Sequence, residues 1–240
     1  AKPSVTLFWV SYIDTLLNLG RLTEAKAYFL EAGAAGASGD GFERLAKKLS
    51  SLDSKPMQGH DPPQEKLQNL INLYNQGQFQ LVLDNAYTLL QHFSQSGILH
   101  NICGEVHAGL HQYDLAVESY ERALKSKPDD AEVYCNRGHA LRRAGNLDAA
   151  IDSYKRALKL KPNYIEACAS MANSFKEKGE FNAAIENYKL AIKLEPANAD
   201  IFSNMGNALK EVGEFDAAIE SYKRALKIKP NYAEAYNNIG

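Results

Sequence analysis

Residues 131–164 read AEVYCNRGHALRRAGNLDAAIDSYKRALKLKPNY, and residues 199–232 read ADIFSNMGNALKEVGEFDAAIESYKRALKIKPNY. The second halves of these two 34-residue strings agree almost letter for letter. Working outward, Pro128, Pro162, Pro196 and Pro230 recur every 34 residues, so four copies fill 97–130, 131–164, 165–198 and 199–232. A fifth opens at Ala233. Position 8 of the unit is small (Gly104, Gly138, Ala172, Gly206), and position 20 is alanine (Ala116, Ala150, Ala184, Ala218). Position 24 is tyrosine (Tyr120, Tyr154, Tyr188, Tyr222) and position 27 alanine (Ala123, Ala157, Ala191, Ala225). A fixed period of this length describes stacked supersecondary units rather than one closed globule.

Each copy reads as two helices, A and B. Gly145, Gly179 and Gly213 stand where helix A must end in a left-handed residue, and His111 replaces glycine in the first copy. Asp114, Asp148, Asn182 and Asp216 are expected to cap helix B. Acids near the start of helix A (Glu132, Glu166, Asp200, Glu234) and lysines at the end of helix B (Lys127, Lys161, Lys229) suit the helix dipoles. Glu118–Arg122, Asp152–Arg156 and Glu220–Arg224 are spaced to pair one turn apart. Proline then stops helix B. The short residues at positions 8, 20 and 27 let neighbouring helices approach, with bulk at positions 4 and 24 filling the space beside them.

These columns resemble the tetratricopeptide repeat. The resemblance implies an all-α, right-handed superhelical α-solenoid of helical hairpins, whose A helices line a concave peptide-binding groove. Five further matches at one offset (Trp9, Gly20, Ala25, Phe29, Ala32) mark residues 1–39 as a divergent hairpin, with Ala1-Lys2-Pro3 as the tail of a preceding helix B. Residues 40–63 read as a short helix over 42–52 followed by a Pro/Gly linker, and 64–96 as a degenerate copy in which Val82, Ala86 and Leu89 replace Ala, Tyr and Ala. Residues 97–232 are the four regular units and 233–240 the first half-helix of another. The stretches around Phe8-Trp9 and Asp61-Pro62-Pro63 resemble long bacterial arrays that often precede a transferase domain, though nothing like such a domain lies in this chain.

Composition narrows the function classes. With 27 basic and 29 acidic residues the net charge is −2, which argues against nucleic acid and anionic membrane as partners. No apolar run approaches a transmembrane length. Cys103, Cys135 and Cys168 read as reduced buried thiols, which fits a cytoplasmic setting and does not exclude an extracellular one. The absence of a starting methionine suggests a processed chain or an excerpt. No nucleophile–base set, phosphate loop or carboxylate pair points to catalysis, and no cofactor is implied.

Residues at positions 2, 5, 6, 9, 12 and 13 of helix A are expected to face the groove. Acids at position 2 and no cation at position 5 disfavour the family's carboxylate clamp. A row of amides remains: Asn136, Asn204 and Asn238 at position 6, and Asn173 and Asn207 at position 9, with His139 holding position 9 of the second copy. Amides both donate to and accept from a peptide backbone. They resemble the asparagine ladder of O-linked N-acetylglucosamine transferases, and they suit hydrogen bonds to a neighbouring helix equally well. Arg142, Lys176 and Lys210 at position 12 would add a basic edge or a solvated face. His100, Cys103, His107 and His111 lie close in sequence but lack a full ligand set, so no metal site is expected there.

The reading is a non-catalytic scaffold for a protein or extended peptide. Its alternatives are the substrate-presenting array of a larger glycosyltransferase or sulfotransferase, and a filament subunit stacking head to tail. The filament would join residues 6–29 (Thr6 to Phe29) to residues 236–240 (Tyr236 to Gly240).

Overall fold

The periodicity becomes geometry in a computed structural model, which describes residues 3–18, 21–54 and 61–239. Every regular element among these is an α-helix, and the chain divides into two compact units at residues 58 and 59. No helix among the described residues is long and apolar enough to cross a membrane.

The first unit holds α1 (Pro3–Asn18), α2 (Leu22–Ala34) and α3 (Asp40–Ser54). Pro3 opens α1 rather than ending a preceding helix, as its locked φ allows at a first helical position. Ala1, Lys2, Gly20, Gly240 and the linker residues 55–60 lie outside the described residues. Leu45 and Leu49 of α3 are buried with Ile13 and Leu16 of α1 and Ala25 and Ala32 of α2. Phe29 and Phe42 stack with ring centroids 4.1 Å apart, and Lys48 pairs with Asp14 across the α1–α3 seam.

The second unit is an α-solenoid of helical hairpins: α4 (Gln64–Asn75) with α5 (Phe79–Leu90), α6 (Gly97–Gly109) with α7 (Tyr113–Ser126), and α8 (Ala131–Arg143) with α9 (Leu147–Leu160). They continue as α10 (Ile165–Glu177) with α11 (Phe181–Leu194) and α12 (Ala199–Glu211) with α13 (Phe215–Ile228), ending in α14 (Ala233–Ile239). Each A helix packs on its own B helix, and each B helix on the next A.

The lock between A and B is steric. A Cβ placed on Gly104, Gly138 or Gly206 would lie 2.5–2.6 Å from a ring carbon of Tyr120, Tyr154 or Tyr222. The bare backbone at position 8 is therefore the seat of the position-24 ring, and these rings are essentially fully buried. The alanines at positions 20 and 27 are buried beside them.

Corners between A and B are left-handed, with φ of 82° at Gly145 and 83° at Gly213. His111 takes the same turn at φ 60°, a conformation uncommon for a residue with a Cβ, and its Nδ1 is 2.8 Å from the Tyr113 hydroxyl. Helix B starts earlier than its acids suggest. Its N-cap residues are Gln112, Asn146, Glu180 and Glu214, so Asp114, Asp148, Asn182 and Asp216 are second residues inside the helix and not caps. The tight corner uses one residue after the left-handed position, since Asn146 N–H already bonds Leu141 C=O at 2.9 Å, closing a Schellman-type turn. The acids still favour the positive helix end. Side-chain caps fall on three A helices, from Ser96, Asp130 and Asn198, and on one B helix, where Asn146 Oδ1 accepts from Ala149 N–H. Glu118–Arg122 and Glu220–Arg224 pair as spaced, whereas Asp152 pairs with Lys155.

Candidate functional site

Side chains at positions 6, 9 and 12 of α8, α10 and α12, with position 6 of α14, form one polar wall. The stacking register sets position 9 of one A helix against position 6 of the next. His139 Nε2 thus lies 2.9 Å from Ser170 Oγ, and Asn238 Nδ2 donates to Asn207 Oδ1 at 2.9 Å. Between them, Lys176 Nζ donates to Asn204 Oδ1 at 2.8 Å. Burial lowers the pKa of the Lys176 ammonium.

The position-9 amides serve a second purpose. Tyr188 donates its hydroxyl proton to Asn173 Oδ1 at 2.5 Å, and Tyr222 does the same to Asn207 at 2.8 Å. Each asparagine thus satisfies a hydroxyl carried into the core by the position-24 ring, which would otherwise be costly to bury. In the second copy the arrangement breaks. His139 replaces asparagine, its ring centroid is 5.5 Å from that of Tyr154, and the buried Tyr154 hydroxyl has no asparagine acceptor.

The sequence-predicted residues therefore divide. Asn173, Asn204, Asn207, Asn238 and His139 are half-buried and tied into the wall; Arg142 is held by Glu177 at 2.6 Å. Asn136 is half-buried and Lys210 exposed, and neither makes a side-chain hydrogen bond within the described chain. In Asn173, Asn204 and Asn207 the oxygen is engaged while the amide nitrogen donates to nothing in the described chain. Beside them, an open cleft of about 390 Å³ between α10 and α12 is lined by Asn173, Asn204, Ala169, Ile201 and the acids Glu166, Glu195 and Asp200.

The histidines of α6 and its corner are occupied elsewhere. His100 Nε2 lies 3.1 Å from the Ser94 carbonyl oxygen, and His107 bridges Gln112 Oε1 and the Tyr87 hydroxyl at 2.7 and 2.9 Å. Among the described residues, the group with metal-ligand spacing is instead Cys135, His139 and Glu166, whose donor atoms lie within 4.8 Å of one another. Sequence spacing along one helix did not reveal it. The register just described would have, because it also sets position 5 against position 2 of the next copy.

Comparison with known proteins agrees with this architecture. A family profile described as "TPR repeat" matches residues 172–213 and 206–240, and one described as "Tetratricopeptide repeat" matches 104–165. Together they cover more than half of the chain. No curated protein matches the chain significantly in sequence. Among solved structures, YrrB, described as a TPR protein with an unusual peptide-binding site, superposes with a TM-score of 0.67 at 18% identity. That match covers 80% of this chain and 95% of YrrB. MamA matches with a TM-score of 0.65 at 23% identity over 68% of this chain and 95% of its own. MamA 41-end from Desulfovibrio magneticus RS-1 matches at 0.65 and 16% over 70% and 97%. At these identities the likeness is one of fold.

Proposed function

The chain belongs to the tetratricopeptide repeat family, and from that premise we propose that the wall of its A helices binds an extended segment of another protein without catalysing a reaction on it. The observation that carries this reading is the state of the amides. With their oxygens already accepting from Tyr188, Lys176 and Tyr222, Asn173, Asn204 and Asn207 keep their N–H donors for the groove. Such donors fit main-chain carbonyl oxygens, which every peptide has, whatever its side chains. YrrB, of like fold, is described as having a peptide-binding site.

Charge refines the ligand class. Glu132, Glu166, Asp200 and Glu234 are exposed at the N-terminal ends of successive A helices, and no lysine or arginine forms an ion pair with them among the described residues. A ligand carboxylate is repelled there, and a lysine or arginine side chain is favoured in the cleft beside Glu166 and Asp200.

A panel of labelled extended peptides, titrated against wild type and Asn136→Ala/Asn204→Ala, tests the reading. Binding is expected to weaken about tenfold or more in the variant, in line with losing two hydrogen bonds of about 1 kcal/mol each. Neither position carries a core hydroxyl, and the one internal bond lost is that from Lys176 to Asn204, so the melting curve should move little. Equal binding by both proteins would discard the amide wall as the contact surface.

A further inference from the structure

We propose that Cys135, His139 and Glu166 form a binding site for one divalent transition-metal ion of the zinc class, set into the wall between α8 and α10.

Three observations converge. First, the donors are already gathered: Cys135 Sγ, one ring nitrogen of His139 and a Glu166 carboxylate oxygen lie within 4.8 Å of one another. Tetrahedral zinc, with bonds of about 2.0–2.3 Å, sets its ligand atoms roughly 3.3–3.7 Å apart, so small side-chain rotations close the site. Cys135 and His139 are one helical turn apart on α8 and need not move relative to each other through the backbone. Glu166 is 58% exposed at its side chain and free to swing.

Second, the site coincides with a break in the repeat. Copies three and four place asparagine at position 9, where it accepts from the buried tyrosine hydroxyl. The second copy gives up that bond for an imidazole, and the fully buried Tyr154 has no asparagine acceptor beside the His139 ring. The exchange costs the core a hydrogen bond the later copies keep, and it sets an imidazole near a thiol and a carboxylate.

Third, the ring is held. Ser170 Oγ sits 2.9 Å from His139 Nε2 and fixes the ring from the next helix, which leaves Nδ1, 3.9 Å from Glu166, as the nitrogen for the ion. The donor set selects the ion. Thiolate with imidazole and carboxylate suits zinc or cobalt(II) and disfavours calcium and magnesium, which take oxygen ligands. Three protein ligands leave the fourth position to water on the exposed Glu166 side. The fully buried Cys135 is a thiol in the absence of metal, so binding breaks its S–H bond, forms the metal–sulfur bond and releases one proton to solvent.

Cobalt(II) chloride titrated into the intact chain, reduced with a phosphine, reads the site directly. One cobalt per chain is expected, with a near-ultraviolet thiolate-to-cobalt absorption and visible bands of tetrahedral intensity, all displaced by one equivalent of zinc. Cys135→Ser should abolish the charge-transfer band. His139→Asn, which installs the residue the later copies use, and Glu166→Gln, at an exposed position, should each weaken binding at least tenfold. Cys103→Ser and Cys168→Ser should leave the spectrum unchanged. Circular dichroism melts confirm that the His139 and Glu166 variants stay folded. Absence of saturable binding in the wild type, or a band that survives Cys135→Ser or both other ligand variants, overturns the proposal.

Discussion

The hairpin α4–α5 and the hairpin α12–α13 occupy equivalent places in the same stack, yet they carry their bulk on opposite helices. In α12–α13, Gly206 yields space on the A helix and the Tyr222 ring fills it from the B helix. In α4–α5 the sizes are exchanged: Leu70 stands at position 8 and Ala86 at position 24, and both are buried. What the repeat preserves at that seam is the summed volume of two facing side chains, not the identity of either. The first unit shows a third solution. Ile13 holds position 8 and is buried, and Phe29 at position 24 stacks on Phe42 of α3.

A double-mutant cycle on the exchanged hairpin would break or secure this comparison. Leu70→Ala alone should cost about 2–5 kcal/mol through the cavity it leaves. Ala86→Tyr alone should cost roughly 1–3 kcal/mol through overpacking. The double variant, which approaches the α12–α13 pattern, should lose clearly less than the sum in urea unfolding; strict additivity would show that the two sites do not share volume. In the regular copies no such exchange partner exists at position 20, so Ala184→Leu should lower stability by roughly 1–3 kcal/mol with no rescue in thermal melts.

A smaller effect separates copies that look alike in sequence. Asn207→Ala strips the Tyr222 hydroxyl of its acceptor and should cost about 1–3 kcal/mol, most of it recovered when Tyr222→Phe is added. Tyr154→Phe should cost less than Tyr222→Phe, because no asparagine accepts from the Tyr154 hydroxyl. The smallest effect is a pH dependence. Burial lowers the pKa of His100 below its ordinary value of 6.5, so the unfolded chain binds more protons than the folded one as pH falls through 6.5. Stability carried by the neutral ring is complete above that pH and declines below it. Melting temperature should drop between pH 7.5 and pH 5.5, and His100→Phe, which adopts the Phe202 type found in the fourth copy, should flatten that slope.

The stack itself was legible in the sequence because steric rules repeat with the period: glycine under tyrosine, alanine at the seams, proline at the exits. The cap of helix B was misplaced because acids two residues into a helix look like caps until the corner's hydrogen bonds are seen. The polar wall was legible as a column of asparagines but not as a network. The partner of Asn207 is a hydroxyl fifteen residues away in the next helix, and the neighbour of Cys135 is a carboxylate in the next copy. A period names equivalent positions. Only the stacking register says which unlike positions meet.

That register has a consequence for anything laid along the wall. On the proposed reading, amides that keep their hydrogens for a guest meet carbonyls on the flank of a strand whichever end leads. Such donors alone would not choose between the two directions of a threaded polypeptide. The choice would fall to the exposed carboxylates along one border, Glu132, Glu166, Asp200 and Glu234, and so to the margin of the track rather than its floor.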